Sequence, residues 1–142
     1  MRIGVNGRVM DAASAPLVVR TIERMVAHGM QPQLSIGLAT WLREVGIALP
    51  WPVISSDDLA GQDLDLCIGL GGDGTLLDTV AWVGRTEIPV LGINLGRLGF
   101  LSNVTLDAVE EALTAIKQGR YMLQDRSLLE VTDHPELLGR AN

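Results

Sequence analysis

The segment of this sequence best suited to chemistry is a glycine-rich loop that contains a carboxylate. It reads Gly-Leu-Gly-Gly-Asp-Gly-Thr over residues 69–75, after an apolar run and before a helical pattern. Glycines let backbone N–H groups approach a phosphate without a Cβ in the way, and the start of a helix adds N–H groups that lack an intrahelical partner. We therefore expect a phosphate-bearing ligand here, with Gly71, Gly72, Gly74 and Thr75 as binding residues.

Asp73 is the residue of this loop that could react. A phosphoryl transfer needs a positioned hydroxyl, an acceptor for its proton and donors around the phosphates. Asp73 could accept the proton while neighbouring amides and Mg²⁺ hold a triphosphate. The alternative is that Asp73 caps the following helix, and one side chain could fill both roles.

The same glycines also allow a non-catalytic dinucleotide-binding module. Gly69, Gly71 and Gly74 satisfy the pattern G-x-G-x-x-G, which marks dinucleotide sites when it joins a strand to a helix. That site also needs an acidic residue at the end of the next strand, about 20 residues on. The next predicted strand, residues 88–93, is followed by Asn94. The sequence therefore lacks the ribose-binding carboxylate that this alternative requires.

Two segments together resemble the NAD kinase family. Residues 71–75 resemble a signature shared by NAD kinases, diacylglycerol and sphingosine kinases and, in variant form, phosphofructokinases. Residues 89–101, Pro-Val-Leu-Gly-Ile-Asn-Leu-Gly-Arg-Leu-Gly-Phe-Leu, resemble more selectively the NAD kinase segment that follows the next strand. The resemblance runs from about residue 64 to residue 131. It implies a three-layer, Rossmann-like open parallel sheet flanked by helices, as in NAD kinases and diacylglycerol kinases.

The resemblance also implies an activity. NAD kinases transfer the γ-phosphoryl of ATP, or of polyphosphate in some members, to the 2′-hydroxyl of the NAD adenosine ribose, which makes NADP. Mg²⁺ is the implied metal, and ATP and NAD are the implied substrates. By this resemblance Asp73 is the catalytic proton acceptor, Gly74 helps to bind NAD, and Phe100 lies against the adenine. A lipid or sugar kinase of the same superfamily is the alternative that the first segment alone allows.

Three positions near these segments need separate comment. Phe100 is the only phenylalanine of the chain, and it either contacts the ligand or packs into the core. Asn94 ends a strand beside the one that delivers Asp73, so its amide could bind in the crevice; otherwise it is a turn residue. Asp78 stands in the helix where many relatives carry a basic residue, so a basic contact from that position is not expected.

Strands and helices alternate along the chain, which predicts an α/β domain with a parallel sheet. The apolar run over residues 64–70 is the clearest strand, and its continuity is typical of a parallel strand covered on both faces. The other predicted strands cover residues 2–5, 34–36, 53–54, 88–93, 121–123 and 128–131. The predicted helices lie between Ser14 and Gly29 and over residues 39–45, 75–82 and 106–118.

Composition excludes several classes of protein. The 142 residues are 47% hydrophobic, include one cysteine and carry a net charge of −6. These values exclude a disordered chain, a disulfide framework and a cysteine-based zinc site. The chain has no basic stripe for nucleic acid and no apolar run of a membrane span's length. We expect a soluble, cytoplasmic protein that binds small-molecule nucleotides, with no nucleic-acid or membrane partner and no metal held by its own side chains.

We predict two parts in the chain. Residues 1–127 form the nucleotide-binding domain, and residues 128–142 begin the connection to a C-terminal β domain that this chain lacks. We expect a truncated protein or a domain removed from a longer one, because the predicted strand over residues 128–131 has no partner element after it. The resemblance implies that the further domain completes the NAD site and builds a homo-oligomer. The fragment alone is therefore expected to be nearly inactive.

Overall fold

The computed structural model describes residues 1–96, 99–102 and 104–128, and within them a six-stranded parallel sheet forms the centre of the fold. The strands lie in the order β3-β2-β1-β4-β5-β6. They are β1 Arg2–Gly7, β2 Gln31–Ser35, β3 Val53–Ile54, β4 Leu66–Leu70, β5 Val90–Asn94 and β6 Val104–Thr105. The helices are α1 Ala15–Ala27, α2 Ile36–Glu44, α3 Asp73–Val83 and α4 Val109–Lys117, with 3-10 turns at Ala12–Ser14, Leu59–Gly61 and Leu106–Ala108.

Two apolar clusters cover the two faces of the sheet. Side chains of β4 alternate between them, since Ile68 belongs to the larger cluster and Cys67 to the smaller one. The larger cluster contains buried residues of α1, α2 and α4, while the smaller one includes Val83 of α3. Helices therefore lie on both faces, and the predicted three-layer α/β architecture is confirmed.

The strand order places a crevice between β1 and β4. The chain moves outward from β1 through β2 to β3, then returns to pair β4 with the other side of β1 and continues outward through β5. Loops that follow β1 and β4 thus leave the same sheet edge in opposite directions. In open α/β sheets this reversal point, outside the carboxyl ends of the strands, is where ligands bind. The glycine-rich loop follows β4 directly.

Several predicted boundaries differ from the structure. Helix α2 begins at Ile36 and not at residue 39, because the Ser35 hydroxyl caps it by accepting the Leu38 N–H at 3.3 Å. Helix α3 begins at Asp73, two residues before the predicted start at Thr75. The short strand β6 was not predicted at all.

The strand predicted over residues 121–123 is wrong. Tyr121, Met122 and Leu123 have no regular secondary structure and are exposed, with Met122 at 96%. An apolar triplet forms a strand only where a neighbouring strand offers hydrogen bonds and a core covers one face. In the predicted strand over residues 128–131, Leu128 is not in a strand, and residues 129–131 lie outside the described part of the chain. Residues 129–142 of the predicted connecting segment lie outside it as well.

No helix in the described ranges is both long and apolar enough to cross a lipid bilayer.

Candidate functional site

The glycine-rich loop takes the conformation that its residues predict. Gly71 has φ of 152°, a region that residues with a Cβ rarely adopt, and its N–H donates to the Ile93 carbonyl at 2.9 Å. A Cβ at Gly71 would collide with the Thr75 hydroxyl. Gly72 is exposed, and a Cβ there would meet nothing. Gly71 and Thr75 therefore shape the turn from within, while the backbone of Gly72 is open to solvent.

Asp73 binds the second predicted segment through both of its carboxylate oxygens. Oδ2 accepts the Phe100 N–H at 2.7 Å, and Oδ1 accepts the N–H groups of Leu101 and Ser102, each at 3.0 Å. These partners lie 27 to 29 residues further along the chain. The two segments that sequence singles out are thus joined in space by one side chain.

This contact rules out the helix-cap alternative for Asp73. The capping position of α3 is Gly72, no side chain caps the helix, and Asp73 lies in its first turn. A carboxylate oxygen has two acceptor sites, so Oδ1 is filled by two amides while Oδ2 keeps one site for a hydroxyl donor. The arrangement anchors the second segment and still leaves one acceptor site on Oδ2.

The amides also make Asp73 a stronger acid. The Phe100 N–H most of all, then those of Ser102 and Leu101, hold the pKa of Asp73 below its ordinary value. Hydrogen bonds donated to the charged form of a carboxyl favour that form. Asp73 is thus ionised at neutral pH and ready to accept a hydrogen bond.

The lowered pKa predicts how stability depends on pH. A carboxyl whose pKa is lower in the folded state stabilises that state above its unfolded pKa, and this contribution is lost as the pH falls through the folded value. We expect Asp73→Asn to lower the melting temperature at pH 7 but to match the parent once the pH lies below the folded pKa, which is under 3.8. Thermal unfolding of both proteins across pH 2 to 7 measures this difference. A gap that stays constant over that range would contradict the assignment.

Gly99 allows the Asp73 carboxylate to lie close to the backbone of the second segment. A Cβ built at Gly99 would overlap all three atoms of the Asp73 carboxyl group. The φ of Gly99 is not in the left-handed region, so the need for glycine here is one of space. The sequence shows the glycine but not the carboxylate that requires it.

Phe100 does not pack into the core. Its side chain is 97% exposed, although its backbone N–H is bound to Asp73. The core alternative for Phe100 is therefore wrong. An exposed aromatic ring has a free face on which a flat ligand can stack. Its contact with adenine stays a prediction.

Asn94 is built into the sheet edge. It ends β5, is 2% exposed, and its Oδ1 accepts the Gly96 N–H at 2.9 Å. This short-range hydrogen bond is the turn role that asparagine commonly takes. The structure thus favours the turn role, and the binding role of Asn94 stays a prediction.

Sequence reasoning missed a cation at this edge. Arg8, in the loop after β1, donates from Nη2 to Asp78 Oδ1 at 2.8 Å and from Nε to Asp78 Oδ2. Its Nη1 would lie 2.8 Å from a Cβ on Gly74, so the guanidinium rests against the glycine loop. Arg8 directly follows β1, and the carboxyl ends of β1 and β4 lie at the same edge of the sheet. That position is the sequence signal that could have identified Arg8 as a site residue.

A chain of polar side chains fixes α3 beneath the loop. The Ser35 hydroxyl donates to Asn6 Oδ1 at 2.7 Å, and Asn6 Nδ2 donates to the Thr79 hydroxyl at 3.2 Å. Thr79 in turn donates to the Thr75 carbonyl at 2.7 Å. The chain links β1, the end of β2 and the first two turns of α3, so it holds the loop and the helix start in register with the sheet.

Comparisons with known proteins indicate one family. Residues 53–121 match the family model described as the ATP-NAD kinase N-terminal domain. A protein named NAD kinase from Methanothermobacter thermautotrophicus is 33% identical, and the match covers 100% of this chain and 48% of the relative. Another NAD kinase, from Pseudomonas putida, is 37% identical over 99% of this chain and 46% of the relative. The chain therefore spans about half the length of these relatives.

A solved structure supports the fold. The crystal structure of yeast NADH kinase complexed with NADH matches 84% of this chain and 38% of its own length. The TM-score is 0.66 and the sequence identity is 22%. At that identity the likeness supports the architecture and the order of its elements.

Proposed function

We propose that the protein is an NAD kinase, because residues 53–121 match the family model described as the ATP-NAD kinase N-terminal domain. It transfers the γ-phosphoryl of ATP to the 2′-hydroxyl of the NAD adenosine ribose and so makes NADP. This chain supplies the catalytic carboxylate and the phosphate loop. The part of the relatives' length that the chain does not span completes the NAD site, so the chain alone is nearly inactive.

The observation that carries the proposal is the position of Asp73. Its carboxylate stands in the first turn of α3, at the edge of the sheet where the strands end, and it accepts the backbone N–H of Phe100, whose ring is exposed. An acceptor hydroxyl within hydrogen-bond distance of Oδ2 would then belong to a ligand whose aromatic base contacts Phe100. NAD has both groups in its adenosine half. A lipid acceptor has no base for Phe100 to contact.

The residues around Asp73 have separate tasks in this reaction. Asp73 orients the 2′-hydroxyl and receives its proton as the phosphoryl group is transferred. The open backbone at Gly72 and the first turn of α3 donate N–H groups to phosphate oxygens. Arg8 adds a positive charge next to Gly74. Mg²⁺ would be held by the phosphate oxygens of the donor together with one or two carboxylates, and it would supply positive charge to the transferred group.

A competition among acceptors tests the proposed function. The complete protein is incubated with ATP and Mg²⁺, and NAD, a diacylglycerol and a sugar phosphate are offered in turn. We expect phosphorylation of NAD alone, measured as NADP by an enzyme that reduces NADP specifically. Phosphorylation of the lipid or the sugar would favour the superfamily alternative. NAD binding without any ATP consumption would favour a non-catalytic dinucleotide-binding module.

Arg8 is expected to act on the donor and not on the acceptor. We predict that Arg8→Gln raises KM for ATP about tenfold and leaves KM for NAD nearly unchanged, since one charge-assisted contact to a phosphate is lost. Arg85→Gln is the matched control, because Arg85 is also exposed but lies beyond the other end of α3. Steady-state kinetics with each substrate varied in turn provide the measurement. An equal rise in both KM values would contradict this role.

The proposal also has a cellular setting. We place the reaction in the cytoplasm, where ATP and NAD are both present, and we take the full-length protein to be a homo-oligomer with small-molecule nucleotides as its partners. The support for these points is the resemblance to NAD kinases.

A further inference from the structure

Two side-chain contacts join the end of β1 to the same turn of α3. The inner one is the partly buried hydrogen bond from Asn6 to the Thr79 hydroxyl. The outer one lies at the surface, where Arg8 binds the carboxylate of Asp78, the residue before Thr79. An exposed ion pair adds little to the free energy of unfolding. The outer contact is therefore better explained by what it does to the arginine.

Asp78 binds one edge of the Arg8 guanidinium group. Its Oδ2 accepts a hydrogen bond from Nε, and its Oδ1 accepts one from Nη2 at 2.8 Å. A guanidinium group has five N–H bonds, so Asp78 leaves both N–H bonds of Nη1 and one of Nη2 for another acceptor. Nη1 lies on the side of the glycine loop, since it would be 2.8 Å from a Cβ on Gly74. The free edge is thus next to the residue that follows Asp73.

The grip of Asp78 orders a side chain that solvent would otherwise leave mobile. The Arg8 side chain is 56% exposed, and a long side chain loses rotamer freedom when it is fixed on binding. Two parallel hydrogen bonds to one carboxylate fix the plane of the guanidinium group as well as its position. Arg8 is therefore oriented before a ligand arrives, which reduces the entropy lost on binding.

We propose that Asp78 is a positioning residue, which holds Arg8 so that the free edge of its guanidinium group binds a phosphate at the glycine loop. The inference rests on the proposed kinase function, in which Arg8 contacts the phosphoryl donor, and it adds the residue that orients Arg8. The phosphate and Asp78 bind different edges of the guanidinium group, so they do not compete for the same N–H bonds.

The opposite role for Asp78 makes the opposite prediction. A carboxylate beside Arg8 also offsets its positive charge and repels a nearby phosphate. If that repulsion were the larger effect, removal of the Asp78 charge would tighten phosphate binding. The pair is exposed, and the phosphate would lie beyond the guanidinium group from Asp78, so solvent and salt weaken the repulsion. We therefore expect the loss of orientation to determine the sign.

Asp78→Asn is the test, because asparagine has nearly the same shape but its NH₂ group cannot accept a hydrogen bond from Arg8. We expect it to raise the Kd of MgATP and KM for ATP about fivefold, while kcat and KM for NAD stay within about twofold of the parent. Calorimetric titration of the complete protein with MgATP gives the Kd, and steady-state kinetics with each substrate varied in turn give the other constants.

Glu110→Gln is the matched control. Glu110 also pairs with an arginine at the surface, since its Oε1 lies 3.2 Å from Arg24 Nε, but it is in the first turn of α4 on the other face of the sheet. We expect a small and similar change in melting temperature for both substitutions, and a parent-like Kd of MgATP for the control alone. Circular dichroism on each variant confirms folding.

A second variant pair tests whether Asp78 acts through Arg8. In the Arg8→Gln background, Asp78→Asn should change the Kd of MgATP by no more than about twofold, because there is no guanidinium group left to orient. A loss as large as in the parent background would show that Asp78 acts without Arg8, and it would overturn the inference. A Kd that is unchanged or lower in Asp78→Asn alone would also overturn it.

Failure of the kinase proposal gives a different result. If the parent binds MgATP but forms no NADP from ATP and NAD, that proposal fails, and the titrations still decide the role of Asp78. If NADP forms and Asp78→Asn keeps the parent Kd and KM for ATP, only the role of Asp78 fails. A parent protein that binds no MgATP would overturn both.

Discussion

Asp73→Asn in the complete protein is expected to lower kcat for NADP formation by about 10³-fold, within the range that loss of a general base commonly causes. Two losses contribute. The 2′-hydroxyl loses the group that takes its proton, and the amide NH₂ of asparagine replaces one oxygen that now accepts backbone N–H groups. Affinity for NAD should be largely kept, since the glycine loop and Phe100 remain. Initial rates at saturating ATP and NAD, with separate NAD titrations, measure both effects.

Asp107→Asn is the control for this substitution. Asp107 is exposed and also lies in the first turn of a short helical element, but it is on the segment before α4 and outside the site. The control should keep the parent rate. If Asp73→Asn retained substantial turnover, the carboxylate would be an anchor for the second segment and not a base.

Gly99→Ala is expected to lower kcat/KM for NAD by about 10²-fold or more, comparable to the loss of an oriented catalytic group. The added methyl would occupy the space of the Asp73 carboxyl group, so either the carboxylate or the segment that carries Phe100 must move. Both groups contribute to the acceptor side of the proposed site. Gly96→Ala is the matched control in the same loop, because a Cβ there meets nothing within 4 Å.

The Gly99 and Asp73 substitutions should not be additive. If both break the same contact, Gly99→Ala introduced into Asp73→Asn should lower the rate little further. Rates of the parent, the two single variants and the double variant complete the cycle. Fully additive losses would mean that Gly99 acts through something other than the Asp73 carboxylate.

Local sequence patterns predict the centre of the fold well. The uninterrupted apolar residues of β4 are buried on both faces, and the glycines after it mark where the strand ends and α3 begins. Both features depend on neighbours in sequence, and periodicity and glycine content report on those directly. The same reasoning fails for residues 121–123, whose apolar character indicates a strand only if a neighbouring strand is present.

The contacts that define the site join residues far apart in sequence, so local sequence patterns could not predict them. Asp73 meets Phe100 across 27 residues and Arg8 meets Asp78 across 70 residues. Such pairs depend on the order of strands in the sheet, because β1 must lie beside β4 for the loop that carries Arg8 to reach α3. From sequence, the only interpretation of Asp78 was that it replaces the basic residue that many relatives carry at this position. The structure shows that it holds a basic residue from another element.

The affinity of the complete protein for NAD, compared with that for the analogue that lacks the adenosine 2′-hydroxyl, tests the central role of Asp73 most directly. Titrations of the parent and of Asp73→Ala with both ligands give four dissociation constants. We predict that the parent binds NAD more tightly than the analogue and that Asp73→Ala binds the two equally. A preference of the same size in both proteins would contradict a carboxylate that receives this hydroxyl.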